Sequence, residues 1–529
     1  VSNSPENEPE QVGDTSSGRT DSPSSSEATP PGPPGGAVPA EDGSPPDGGV
    51  LAALDNRDVR GLYIYLALLA TIGGFLFGFD SSNIGSALVF LPFDLGAWGT
   101  GITVAGASLG SFAGALLAGP LTDRFGRKSL LLVDSGLFAV GSLISALAPE
   151  AITLIIGRII IGLAIGADSA IATAYIAEFA PKKRRGGLAI LQQWMITIGI
   201  LGAYVVAVVL LKAFPDAATT IDWRIMLGVG FIPAIISLLL RARMPESPRW
   251  LLERGREEDV RIAMGKLDIQ VTAEQVRAEA RAVQERARKL ANTTLWTPAV
   301  RRALVVVCVF FVFQQITGIN VAFYYGPELL GPYFGTEGGD PVDAEIAGVM
   351  AAGVLAIVNV VATYFAFRYI DIFGRRKLAI GGFSCMLVFL VLGAIGNATL
   401  TGTAQLVVLM VTFALFISSF AIGVGGTGWL IQGEIFPTAV RGRAAAIAAA
   451  VNWLSNYLLV LLFPVLQAGL GLSWVMIIFA VLCLCGAVFV HRFLPETNGK
   501  AADETIELFE GPVNREDPSR PSAPPAALR

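Results

Sequence analysis

The chain has 529 residues, 53% of them hydrophobic and only 15% charged, and its mean hydropathy is +0.60; a soluble domain does not carry that much apolar surface, so a membrane protein is expected. The net charge of −5, with acids gathered in the tails, argues against a nucleic-acid partner. The single histidine, His491, excludes histidine-rich metal sites and Ser-His-Asp chemistry on inventory, so no metal, no cofactor and no enzymatic activity are expected.

Residues 1–57 are rich in Pro, Gly, Ser, Asp and Glu and poor in residues that build a core, so they are expected to form a disordered cytoplasmic tail. No basic n-region followed by an apolar h-region marks a cleavable signal peptide. The first membrane-crossing stretch runs from Gly61 to about Ala87. The others are expected at about 99–119, 129–148, 151–174, 188–211, 224–241, 302–325, 345–370, 378–397, 404–431, 444–468 and 473–492, which makes about twelve spans. Between the sixth and seventh, Glu253–Ala291 is charged and helix-prone and predicts short amphipathic helices outside the bilayer, broken near 268–272. The chain thus divides into helical bundles over 58–242 and 301–494, an intracellular linker over 243–300 and a cytoplasmic tail over 495–529. Cys308, Cys385, Cys483 and Cys485 all fall in apolar stretches and are expected to stay reduced.

Lys and Arg sit in the loops after the even-numbered spans: Arg124, Arg127 and Lys128, then Lys182–Arg185, the linker, Arg375–Lys377, and Arg441 with Arg443. The opposite loops hold mostly acids, so a multi-pass protein of the cell membrane with both termini in the cytoplasm is expected.

The chain also repeats itself. Asp123-Arg-Phe-Gly-Arg-Lys128 returns as Asp371-Ile-Phe-Gly-Arg-Arg376, Glu178-x-x-Pro181-x-x-x-Arg185-Gly186 returns as Glu434-x-x-Pro437-x-x-x-Arg441-Gly442, and Pro245-Glu-Ser247 returns as Pro495-Glu-Thr497. Each pair is about 250 residues apart, so the unit is six spans, and two parallel six-helix repeats around a midplane cavity are a transporter architecture.

With these motifs the chain resembles the sugar porter branch of the major facilitator superfamily over residues 61–500. The likeness also rests on Pro245-Glu-Ser-Pro-Arg-Trp250, on Gln314-Gln315-x-x-Gly318-Ile319-Asn320 followed by Tyr324-Tyr325, and on Pro495-Glu-Thr-Asn-Gly-Lys500. The resemblance implies an all-α membrane protein of twelve transmembrane helices with the major facilitator fold. It also implies two cytoplasmic latches that hold only while the inner side is closed: Asp123, Arg127, Glu178 and Arg185 in one half, and Asp371, Arg375, Glu434 and Arg441 in the other.

Charge inside a span costs about 3 kcal/mol and needs a reason. Asp80 in the first span and Arg158 in the fourth fall at similar depth in the outer half, where they can pair. In proton-coupled sugar porters the Asp of a Gly-Phe/Tyr-Asp sequence takes the proton and the span-four Arg is its partner, and Gly78-Phe79-Asp80 and Gly157-Arg158 match those positions. One proton-coupled member has a further glutamate before the Ile-Pro of span six, where this chain has Gly230. Asp134 and Asp168 fall outside the family pattern and are read as wetted residues of the inner half, without a role.

A sugar site needs neutral amides that donate and accept, with an aromatic face against the ring. Gln193, Gln314, Gln315, Asn320, Asn359, Asn452 and Asn456 are amides in apolar stretches. The resemblance assigns sugar contacts to Gln193, Gln314, Gln315, Asn320, Trp429 and Asn452, with Asn359 added as an amide and Phe77 and Phe420 as ring contacts; Asn456 is read as interhelical glue. Gln314 and Asn320 do not share a face of an unbroken helix, so a break at Gly318 is expected, with Tyr324 and Tyr325 as the outer lid. In span ten, Gly425-Gly-Thr-Gly-Trp429 replaces a proline kink and predicts a flexible segment. The expectation is a monomer that takes up a monosaccharide, hexose first, with a proton by alternating access. Alternatives are a passive sugar or polyol carrier for inositol or a pentose, and a non-transporting sugar sensor.

Overall fold

The computed structural model describes Val50 and residues 60–179, 185–267, 269–290, 294–335, 340–437, 440–498 and 502–509. Apart from Val50, the tail expected over 1–57 lies outside the described residues, as does most of the one expected over 495–529.

The first half is built from α1 (Arg60–Leu88), α2 (Gly96–Phe125), α3 (Arg127–Ala146), α4 (Ala151–Phe179), α5 (Arg185–Ala213) and α6 (Pro215–Ala242). Three shorter helices follow: α7 (Pro248–Glu253), α8 (Glu257–Lys266) and α9 (Ala273–Leu290). The second half holds α10 (Pro298–Tyr324), α11 (Pro341–Phe373), α12 (Arg375–Thr399), α13 (Gly402–Ile435), α14 (Arg441–Leu470) and α15 (Leu472–Phe493), and a short α16 (Ala502–Glu507) ends the described chain. Among the described residues, eleven of these segments are long and apolar enough to cross a membrane. With its 29 residues, α1 spans roughly 43 Å and also exceeds a hydrocarbon core. Large apolar side chains stay exposed along the outer faces, such as Leu109 and Leu116 on α2, Val133 and Val140 on α3, and Val205 and Val209 on α5. A surface of that composition fits lipid rather than water.

The repeat is visible in the packing. α1 packs on α5, α2 on α4, and α3 on α4 and α6; six spans later α10 packs on α14, α11 on α13, and α12 on α13 and α15. The two halves meet through α2 with α14 and α5 with α11.

Small residues set these crossings. Along α2, Gly106, Gly110 and Gly114 recur every fourth residue and lie against the α4 backbone at Ile155, Ile159 and Leu163, while Gly162 and Gly166 of α4 lie against α2. A Cβ at Gly162 would stand 1.9 Å from the Ala107 carbonyl oxygen, and one at Gly166 2.0 Å from that of Ser111. Backbone is in contact with backbone, the close approach that small residues four apart allow between membrane helices. Gly162→Leu is therefore expected to destabilise the bundle by about 3 kcal/mol or more, read as loss of the monodisperse peak in size-exclusion chromatography of detergent-extracted protein.

The linker forms the helices expected of it, for local reasons. The Ser247 hydroxyl caps α7 by accepting from the Trp250 amide at 3.3 Å, with Pro248 at the first helical position. A reciprocal Thr272–Gln275 capping box starts α9. Their apolar faces, with Trp250, Leu251, Val260, Met264 and Val276, cover one end of the first half against Leu69, Leu131, Ile171 and Tyr175. The spanning helices run a few residues past the apolar stretches, as with 341–373 against the expected 345–370, because the hydrogen-bond ladder continues beyond the hydrocarbon.

Candidate functional site

A cavity of about 50 Å³ lies between the two halves, lined by α1, α5, α10, α11, α13 and α14. All nine side chains read from the sequence as substrate contacts line it: Phe77, Gln193, Gln314, Gln315, Asn320, Asn359, Phe420, Trp429 and Asn452. Asn456 does not, and its amide instead joins Asn320 to Ser108 of α2. Trp453, Phe323, Ile196, Ile200 and Ile319 also line the cavity and were not anticipated; Trp453 directly follows an amide in span eleven, which is the signal that could have found it.

Four of the amides form one chain. Gln315 Nε2 donates to Asn452 Oδ1 at 2.7 Å, and Asn320 Nδ2 donates to Gln315 Oε1 at 2.7 Å and to Asn456 Oδ1 at 2.9 Å. Gln314 donates to the Val424 and Gly425 carbonyls at 3.1 Å each, while its Oε1 is buried without a partner among the described residues. Each amide keeps capacity that a hydroxyl could use. Phe77 and Trp453 meet edge to face with centroids 4.8 Å apart, so aromatic rings line the cavity together with the amides.

The break in the seventh span is at Gly318. The long helix stops at Ile316, Gly318 has φ +87°, and a short helix resumes at Val321. The turn brings Gln315 and Asn320 into direct contact. Two physical reasons keep glycine there: the positive φ, and the Phe479 ring, which would stand 2.4 Å from a Cβ. Gly318→Ala is expected to cost about 1–3 kcal/mol, to splay the Gln315–Asn320 contact, and to lower transport at least several-fold in an uptake assay normalised to surface protein. Beyond the break, Tyr324 and Tyr325 are buried. The Tyr324 hydroxyl accepts from Ser81 at 3.2 Å, the Tyr325 hydroxyl donates to the Val460 carbonyl at 2.8 Å, and Tyr204 donates to the Phe323 carbonyl at 2.8 Å. The Ser81 and Val460 contacts hold the two tyrosines expected to form the lid.

The tenth span corrects an expectation. Its glycines do not make a flexible gap: Ala421–Gly425 is one π-helical turn running directly into Gly426–Ile435. The widened turn frees the two carbonyls that Gln314 holds, a recurrent use of such bulges. Gly428 is needed for close approach, since a Cβ there would lie 2.7 Å from Gln314 Nε2 and 2.8 Å from Phe311.

Next to the lid, Arg158 Nη1 donates to Asp80 Oδ1, forming a buried ion pair, and Arg158 Nη2 donates to the Val104 carbonyl at 3.3 Å. Asp80 Oδ2 has no partner among the described residues. Gly230, the position of the missing glutamate, faces Ser142 and Phe138. Asp134 and Asp168, read as wetted, are instead 3% and 4% exposed, and both bind Arg241 of α6; the sequence reading overlooked that arginine.

At the linker end, Arg127 pairs with Glu178 at 2.9 Å, and Arg375 pairs with Glu434 at 2.8 Å and with Asp371 at 3.0 Å. Asp123 offers its backbone carbonyl, to Trp250 and Arg254, and its exposed carboxylate forms no ion pair among the described residues. The Arg441 guanidinium donates to the Phe436 carbonyl at 3.1 Å, and the side chain of Arg185 lies outside the described residues. The Pro-Glu pairs have a role the sequence did not disclose. Glu246 accepts from the Arg127 and Lys128 amides and Glu496 from those of Arg375 and Arg376, so each caps the helix starting after Gly126 or Gly374. Both glycines have positive φ, and a Cβ on either would strike the capping carboxylate.

Comparison with known proteins gives a consistent picture. The family described as "Sugar (and other) transporter" matches residues 66–509. The glucose transporter GlcP of Staphylococcus epidermidis is 35% identical over 443 residues, covering 83% of this chain and 95% of the relative. The arabinose-proton symporter of Bacillus subtilis is 32% identical over 85% of this chain and 95% of its own. The xylose transporter XylE of E. coli, in a partially occluded inward open conformation, superposes with a TM-score of 0.71 at 27% identity, over 83% of this chain and all of that one.

Proposed function

Since the chain belongs to the sugar porter family of the major facilitator superfamily and is a multi-pass membrane sugar transporter, we propose that it is a proton-coupled monosaccharide symporter, with hexose its first substrate class. The observation that carries the coupling is the buried Asp80–Arg158 pair beside the lid. Protonating Asp80 removes the charge that holds Arg158 and changes the balance between outward and inward states. The lid is one residue away: Ser81 donates to Tyr324, so release of Asp80 is felt by the outer gate. The amide chain and the aromatic walls are the proposed sugar contacts, and the Arg127 and Arg375 clusters are the proposed latches at the cytoplasmic end, with both termini on that side. That the arabinose relative is named a proton symporter supports the same reading.

External pH is measured in a lightly buffered, de-energised suspension of cells making the protein, on adding hexoses, pentoses and inositols in turn. Alkalinisation with one compound, absent in Asp80→Asn, is the expected result. Labelled uptake of a sugar without any pH change makes the protein a uniporter and sinks the coupling.

A further inference from the structure

About ten residues inward of Asp80 along α1, and ten beyond Arg158 along α4, lies a second buried cluster of charge, roughly 15 Å from the first. Arg241 of α6 is fully buried. One of its terminal nitrogens donates to Asp134 of α3 at 2.8 Å and the other donates to Asp168 of α4. Its remaining donors go to the Leu69 and Ala70 carbonyls of α1 and the Leu131 carbonyl and Ser135 hydroxyl of α3.

The charges do not balance. Two carboxyls face one guanidinium, and all three side chains are buried. Asp134 Oδ2 is buried with no hydrogen-bond partner among the described residues, which leaves an acceptor aimed into the cluster and unfilled. Among the described residues, the packed elements supply no further positive charge: α1 contributes carbonyls and Gly73, whose absent side chain makes room for Asp168 Oδ2, and Ser135 and Ser237 bond to each other. Lys128, the next cation along α3, is tied to the Ala242 carbonyl and to the capping Glu246 through its backbone. Two carboxylates that share one guanidinium in a buried site of low dielectric do not both stay ionised, and the usual resolution is one shared proton.

We propose that Asp134, Arg241 and Asp168 form a second proton-binding site, holding one proton between the two carboxyls. The site is tied to the central cavity, because Ser169, next to Asp168, accepts from the indole of the cavity residue Trp453 at 3.2 Å. It goes beyond the Asp80 reading and does not depend on it.

The test reads the proton itself and needs no sugar. Infrared difference spectra of the purified full chain in liposomes are recorded in H2O and D2O across a pH series, following the carbonyl stretch of a protonated carboxyl. The expected result is a deuterium-sensitive band at neutral pH that survives in Asp80→Asn. It disappears wholly in Asp134→Asn and wholly in Asp168→Asn, since either leaves one carboxylate opposite one guanidinium. Should one variant not reach the membrane, the other carries the same prediction. A band that stays unchanged in these variants, or no such band in the unmodified protein, overturns the proposal. Loss of sugar-driven alkalinisation in the cell assay alone would overturn the symport reading and leave this one standing.

Discussion

Asp80→Asn is expected to abolish sugar accumulation driven by a pH gradient in proteoliposomes, while exchange of internal for external sugar continues. The asparagine keeps the shape and an acceptor for Arg158 but has no proton to lose, so the gate no longer has two charge states to choose between. Arg158→Leu is expected to act differently and more severely. It leaves the Asp80 carboxylate buried beside Val104 and the lid with no counter-charge, and breaking a buried pair from one side costs about 3–5 kcal/mol. The prediction is a large fall in melting temperature together with loss of transport. The double variant Asp80→Asn/Arg158→Leu removes both charges and recovers much of the stability but none of the coupling. A double variant as unstable as Arg158→Leu alone would mean that Arg158 matters through its packing rather than its charge.

Different physical signals made different parts of this protein legible from sequence. Apolar stretches marked the spans, because only a helix satisfies its own backbone in lipid, and eleven of those helices are long and apolar enough to cross a membrane among the described residues. The paired motifs marked the charged clusters of Arg127 with Glu178 and Arg375 with Asp371 and Glu434, and the amide chain stood out because a polar side chain in a span is rare enough to notice singly. The break at Gly318 could be reasoned from angles along one helix. What stayed hidden was long-range pairing. Arg241 lies at the inner end of α6 and reads from sequence as one more interfacial arginine, yet it reaches Asp134 and Asp168, which are over seventy residues away along the chain. The π turn at Ala421–Gly425 was equally hidden, because consecutive glycines permit both a loose segment and a tight one. Tertiary partners decided between them: Gln314 binds the freed carbonyls, and Gly423 lies against Gly382 of α12. Glu246 and Glu496 were recognised as part of a repeated motif, but their capping of α3 and α12 depends on the chain returning to those helix starts after three further spans.

Gln315→Leu is expected to raise the KM for the transported sugar by about 10–100-fold, which corresponds to about 1.5–3 kcal/mol of lost hydrogen bonding. Gln315 is the central link of the amide chain: it donates to Asn452 and accepts from Asn320. Removing it takes away a proposed sugar contact and also frees the two neighbours to adopt other orientations. The melting temperature should change little, because each neighbour borders the cavity, where a water can replace the lost partner. Asn456→Ala gives the contrasting case. Asn456 is fully buried between Asn320 and Ser108 and does not line the cavity, so its loss should lower stability with only a modest change in KM. Comparing KM with melting temperature across the pair therefore separates the wall of the sugar site from the framework that holds it. An unchanged KM in Gln315→Leu, in protein of normal stability, would place the sugar elsewhere in the cavity.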